Sequence, residues 1–272
     1  MENLLPIKSV NNSVTITSQL LRLILVSLVL ILFSTVTQAN DSNKILIVVS
    51  SDKHGYWLPE VIEPYILLEQ AGFTIDVASP KGGSGKASGS FRLSSKDEAW
   101  FKKSSLVNKL EYSIPLAEVQ SEQYNAVYFA GGAGPMFDLP NNHQAQRITR
   151  EIFEAGGIVS ADCHGPAALI NTKLTDGSLL ITGKQITAKA NIEEGRWARN
   201  NYPFLLENKI KALGGIFSAA GKNEPHVVVD GRLITGQNPA SAIPMTKALI
   251  KSLKSHNSFA LTHNKTQTYK TN

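Results

Sequence analysis

The sequence predicts an α/β fold, a three-layer sandwich with a mainly parallel central sheet, helices on both faces and a nucleophile elbow. Three observations carry this expectation. Short β-branched runs alternate with amphipathic stretches along most of the chain. The composition, 42% apolar and 18% charged with 20 Gly and 12 Pro in 272 residues, is that of an ordinary globular protein. The apolar run 157–163 ends on the chain's one cysteine, Cys163, directly before His164-Gly165-Pro166. A formal charge of +5, from 27 Lys+Arg against 22 Asp+Glu, contains no basic block of five or more, so nucleic acid is not an expected partner.

The elements follow in chain order. Leu23 to Phe33 is apolar apart from Ser27, too short to span a bilayer, and leads to Thr37-Gln38-Ala39. Residues 1–39 read as a secretory signal cleaved after Ala39, giving an exported protein, periplasmic or secreted, with no stable membrane association after cleavage. The remainder, 40–254, reads as one domain with a polar, aperiodic tail at 255–272 that is expected to be flexible. KILIVVS (44–50) is a buried strand, and the apolar spacing of 58–71 makes a helix that Gly72 stops. FTIDVAS (73–79) is a strand. Residues 81–122, opening KGGSGKASGS and holding a mixed polar helix near 94–110, read as an insertion over one end of the sheet. NAVYFAG (125–131), GIVSADC (157–163) and KQITAKA (184–190) are further strands; 142–155 and 165–171 are helices. The stretch 191–224, with Gly195, Pro203, Gly214 and Gly215, reads as a helix with irregular flanks. Asp230-Gly231 between two apolar runs predicts a hairpin over 226–236, and a last helix covers 239–254.

A lone cysteine forms no internal disulfide and no multi-thiolate metal site, so Cys163 is either incidental or used as a thiol. Its setting favours use. A sharp turn from strand to helix lifts the intervening side chain above the carboxyl edge of the sheet, where open α/β folds bind ligands. Gly165 permits close backbone approach, and Pro166 suits a first helical turn. The N–H groups of a helix start are expected to favour thiolate and to bind an oxyanion. The competing reading is a small buried apolar cysteine.

The run GGIVSADCHGPAALI resembles the elbow of the ThiJ/PfpI superfamily, with the class I glutamine amidotransferase-like fold, and specifically its heat-shock-protein-31-like, glyoxalase III branch. GYWLPEVIEPYILLEQAGFTIDVASPKGG, YNAVYFAGGAGPMFDLPNN, GKQITAKANIEE and DGRLITGQNPASA extend the resemblance, in order, over about 190 residues. It implies roles for named residues. Cys163 is the nucleophile, Glu60 the acid against its sulfur, His164 its acid/base partner, and Glu194 the carboxylate that orients His164, with adjacent Glu193 competing for that place. Gly131 and Gly132 supply an oxyanion pocket. The chain departs from the pattern at Ala133, where related proteins often carry His, and at Asp162, where an apolar residue is usual. Strand alternation aims Asp162 away from the sulfur, so little effect is expected.

The resemblance implies a glyoxalase that needs no cofactor, a lyase converting methylglyoxal or a similar 2-oxoaldehyde and water to a hydroxy acid such as lactate through a Cys163 hemithioacetal. The partner is thus a small-molecule aldehyde. The other histidines, His54, His143, His226, His256 and His263, fall into no H-x-x-x-H or H-E-x-x-H spacing, so no metal site is expected. His54 is close enough in sequence to Glu60 to line the pocket, against a solvated loop position. Two other readings stay open: a cysteine-dependent hydrolase or deglycase using the same residues, and a redox-sensitive holding chaperone. Homodimers are common in the superfamily, and nothing in this chain fixes one.

Overall fold

Strand alternation builds the core. The computed structural model describes residues 43–268, of which 256–268 are backbone only, so the leader expected over 1–39 lies outside the described residues. The strands are β1 (Lys44–Val48), β2 (Tyr56–Trp57), β3 (Thr74–Ser79), β4 (Ala87–Ser88), β5 (Ile114–Pro115), β6 (Ala126–Phe129), β7 (Ile158–Asp162), β8 (Gln185–Ile186), β9 (Ile216–Phe217), β10 (Val227–Asp230) and β11 (Leu233–Gly236). In β1, Ile45 and Ile47 join one apolar cluster while Leu46 and Val48 join the other; β6 divides the same way, Ala126 and Tyr128 against Val127 and Phe129. Both faces are therefore buried, as parallel strands require.

The main sheet runs β10-β11-β7-β6-β1-β3-β5, all neighbours parallel except β10, which is antiparallel to β11. The register places Ile45 opposite Ile75 and Ala126, and Gly236 opposite Asp162. From β1 the chain moves to β3 and β5 on one side, then to β6, β7 and β11 on the other. The carboxyl ends of β1 and β6 therefore part at a topological switch point, the usual ligand crevice of open α/β sheets.

Helix Pro59–Gln70 buries Val61, Ile62, Tyr65 and Leu68 on one face of the sheet, where it packs with helix Ala242–Thr268. Helix His143–Glu154 buries Ala145, Ile148, Thr149 and Ile152 towards the other face. It starts where the Asn142 side chain accepts hydrogen bonds from the N–H groups of Gln144 and Ala145, both at 3.0 Å, and stops at Gly156.

Several expectations are corrected. Residues 165–171 form no α-helix: Gly165–Ala168 is a single 3-10 turn, and Ala167, Ala168, Leu169 and Ile170 are all fully buried, with no polar side to present to water. The strand expected over 184–190 shrinks to β8, which pairs with β9 outside the main sheet. Beyond it, Thr187 N–H donates to the Thr235 hydroxyl and Lys189 N–H to the Cys163 carbonyl, so the backbone is held without a ladder. The polar helix near 94–110 is two, Ser95–Phe101 and Leu106–Glu111, and the 81–122 segment also adds β5 to the sheet edge. Between 191 and 224 there are helices at Arg196–Asn201 and Leu206–Ala212, parted at Pro203, which cannot continue a hydrogen-bonded turn. The last helix, expected over 239–254, runs from Ala242 to Thr268, and 255–268 has neither Gly nor Pro to stop it. Among the described residues no helix is long and apolar enough to cross a membrane.

Candidate active site

Cys163 follows β7 with φ 56°, the left-handed region that L-residues avoid. Such a residue costs about 1–2 kcal/mol and persists only where the surroundings fix it. Here its N–H donates to the Gly236 carbonyl at 3.0 Å, and its carbonyl accepts from Lys189 N–H at 2.7 Å. Gly165 completes the turn, since a Cβ there would collide with the Phe129 carbonyl. The turn sets the Cys163 sulfur 3.5 Å from His164 Nδ1. His164 Nε2 lies 2.9 Å from Glu194 Oε1, both side chains buried. A carboxylate at Nε2 holds the proton on that nitrogen and leaves Nδ1 free to accept from the thiol. The structure thus places Glu194 against the histidine. Glu193 points elsewhere, accepting from Asn223 N–H at 2.8 Å, Gln237 Nε2 at 3.1 Å and Asn238 Nδ2 at 3.0 Å.

Glu60 approaches from the other side. It sits in the first turn of helix Pro59–Gln70, where an acid normally meets solvent, yet is fully buried. The Tyr128 hydroxyl donates to its carbonyl at 2.6 Å and ties that turn to the sheet. Its carboxyl faces the Cys163 sulfur and the Gly131 N–H, but neither oxygen has a partner of standard hydrogen-bond geometry. Gly131 makes the approach feasible: a Cβ at this position would overlap both Glu60 Oε2 and the Cys163 Cβ. Gly132, at φ 112°, leaves its N–H beside the sulfur.

Burial dominates the electrostatics. It pushes the Glu60 carboxyl up to about 8, partly opposed by the contact with Cys163 and by the Lys189 ammonium. It pushes the Cys163 thiol well above its usual range, and the Glu60 and Asp162 carboxyls act in the same direction. Lys189 and the Gly132 N–H pull the other way. The expectation that a helix start favours thiolate is not met here: the helix is one buried turn, and burial, followed by the Glu60 carboxyl, holds the thiol up. Asp162 also departs from its expected neutrality towards the site. It is fully buried, neither carboxyl oxygen has a partner, and burial followed by the charge of Glu60 raises it far above the usual carboxylate range.

The sulfur opens into a cleft of about 790 Å³ whose lining includes Trp57, Gly132, His164, Lys189 and Tyr202. Sequence reasoning missed Lys189, Trp57 and Tyr202; the one available signal was a lysine between Ala188 and Ala190 at the end of the run 184–190. His54 does not line the cleft. Its ring stacks on Phe137 at 4.2 Å and its Nδ1 pairs with Asp52 at 2.6 Å.

The DJ-1/PfpI family profile matches residues 43–252. A protein of Schizosaccharomyces pombe described as a probable glutathione-independent glyoxalase is 35% identical over 51% of this chain and 65% of its own length. A glutathione-independent glyoxalase of Saccharomyces cerevisiae is 34% identical over 74% of this chain and 90% of its own length. Among solved structures, glyoxalase III from Candida albicans superposes with a TM-score of 0.72 at 26% identity, covering 77% of this chain and 98% of that one. With the sheet order, the elbow at Cys163 and these matches together, the chain belongs to the DJ-1/PfpI family.

Proposed function

We propose that this chain is a glyoxalase that works without glutathione, a lyase adding water to a 2-oxoaldehyde, R–CO–CHO, to give the hydroxy acid R–CH(OH)–COOH. The observation that carries the reading is the pair of proton carriers flanking one sulfur, His164 at 3.5 Å and the buried Glu60 opposite. The Cys163 thiolate adds to the aldehyde carbon, and the hemithioacetal oxygen rests on the N–H groups around Gly131 and Gly132. A proton leaves the former aldehyde carbon to His164 or Glu60 and returns to the neighbouring carbon through an enediol. The aldehyde carbon is thereby oxidised and the ketone carbon reduced, with no external electron carrier. Water then cleaves the thioester and frees the sulfur. Glu194 keeps His164 in one tautomer and balances its charge when it is protonated.

The test is methylglyoxal turnover in the absence of glutathione, with lactate as the product measured. Wild type is expected to turn over, and Cys163→Ala to be inactive. Full turnover by Cys163→Ala would overturn the reading, and cleavage of an activated ester or glycated peptide without lactate formation would place the chain among hydrolases. We propose also that the chain is exported; intact mass of the native protein, expected to begin at Asn40, tests this.

A further inference from the structure

Lys189 is a charged residue in an unusual position. Its N–H is tied to the Cys163 carbonyl at 2.7 Å, so its Cα is fixed beside the nucleophile, and its side chain is 15% exposed in the same cleft. The ammonium makes no hydrogen bond among the described residues, and its ion-pair partner, Glu193 Oε2, stands 3.7 Å away. That carboxylate is already committed to Asn223, Gln237 and Asn238. Burial works against the charge, but the nearby acids Cys163, Glu193, Glu60 and Glu194 outweigh it and keep the group protonated. A half-desolvated cation with three donors and no close acceptor is costly unless something else supplies one. Arg92 lines the same cleft from its exposed side, where Glu63 is the opposing acid; burial and then Asp97 raise its carboxyl above the ordinary value. At about 790 Å³ the cleft also matches a ligand larger than a three-carbon aldehyde.

We infer that the substrate of this site is an anionic 2-oxoaldehyde, with a carboxylate on the group R, and that the Lys189 ammonium receives that carboxylate while the aldehyde meets Cys163. The chemistry at the aldehyde rests on the glyoxalase reading; the anion-reading cation does not.

The chain's one cysteine permits a test that needs no turnover. Iodoacetate and iodoacetamide alkylate the same sulfur, each forming the S–CH₂ bond as the C–I bond breaks and iodide leaves. They differ in carrying a carboxylate or a neutral amide. Dividing one rate constant by the other cancels any effect of Lys189 on the thiolate population. In Lys189→Met, which keeps an unbranched side chain without charge, the iodoacetate/iodoacetamide ratio is expected to fall roughly tenfold or more, the size of one close opposite charge in a partly screened site. Lys189→Arg is expected to keep the wild-type ratio, separating loss of charge from loss of fold. An unchanged ratio in Lys189→Met, with Lys189→Arg also unchanged, overturns the inference.

The second arm compares kcat/KM for 4,5-dioxopentanoate and its methyl ester. Wild type is expected to prefer the free acid, and Lys189→Met to lose that preference; a wild-type preference for the ester overturns the inference. Turnover of neither compound, nor of methylglyoxal, sinks the glyoxalase reading, while the alkylation ratio still decides the role of Lys189.

Discussion

Replacing Glu60 with Gln separates the charge of this side chain from its shape. A carboxyl that ionises at about 8 in the folded chain, against 4.5 for the ordinary group, binds its proton more tightly when folded than when unfolded. Its contribution to stability is therefore whole below about pH 4.5 and declines as pH rises towards 8. At about 1.4 kcal/mol for each pH interval of one, the full penalty above pH 8 approaches about 5 kcal/mol. Glu60→Gln carries no such penalty. The thiol shares the proton in wild type, so the comparison belongs in a Cys163→Ala background, where Glu60 loses the contact that lowers its pKa. Urea unfolding of Cys163→Ala and of Cys163→Ala with Glu60→Gln, at pH 4.5, 6, 7.5 and 9, gives the difference directly. We expect it to grow with pH in favour of Gln by about 3–5 kcal/mol across this range. A difference that stays flat, or grows in favour of Glu, would mean that Glu60 ionises normally and that the proton transfers assigned to it are wrong.

The other predictions concern the same few ångströms. Gly131→Ala places a methyl against Glu60 Oε2 and the Cys163 Cβ, and is expected to destabilise the fold by about 1–3 kcal/mol and to abolish turnover; thermal melting and lactate assay check both, and an active variant would show that the carboxyl need not sit there. Glu194→Gln leaves His164 without its anionic partner, so kcat should fall roughly 10²-fold with KM little changed. Wild-type kcat in this variant would remove Glu194 from the proposed mechanism. Asp162→Asn removes one of the two carboxyls that hold the Cys163 thiol up, so the pH midpoint of Cys163 alkylation should fall. An unchanged midpoint would show that Asp162 exerts no charge on the sulfur.

What could be read from sequence was what depends on local pattern. Short, continuous β-branched apolar runs made β1, β3, β6 and β7 visible, and the Asp230-Gly231 pair marked the β10–β11 hairpin. The elements that failed depend on tertiary context. Gly165–Ala168 reads as a helix start, but burial on all sides leaves it one 3-10 turn. The run at 184–190 has strand composition, but no free strand edge is available beyond Ile186, and side-chain and loop contacts hold it instead. At the site, Cys163, His164 and Glu60 were recognisable from motif context. The choice between Glu194 and Glu193 was not, because adjacent acids differ only in where the 3-10 turn Asn191–Glu193 points them. Asp162 misled for a related reason: alternation gives the direction of a side chain, not the dielectric of what lies there.

That dielectric constrains the chemistry more than any single contact. Cys163, Glu60 and Asp162 are three acids in one buried cluster, where Glu60 makes ionisation of both Asp162 and Cys163 harder and Asp162 adds to the effect on Cys163. The nearby ammonium is Lys189, whose charge is also drawn on by Glu193 and Glu194. Forming thiolate by releasing a proton to water would add a negative charge to this cluster. Passing the proton to His164, whose new positive charge faces Glu194, or between sulfur and Glu60, leaves the net charge of the cluster and its immediate partners unchanged. The low-dielectric site therefore favours internal transfer, and the thiolate should form when an aldehyde is present to take up the sulfur's electrons. It follows that alkylation of free Cys163 at neutral pH should be slow for a nucleophilic cysteine, and that raising pH should accelerate alkylation more steeply than turnover. Parallel pH profiles for the two would mean that the resting thiol already ionises to solvent.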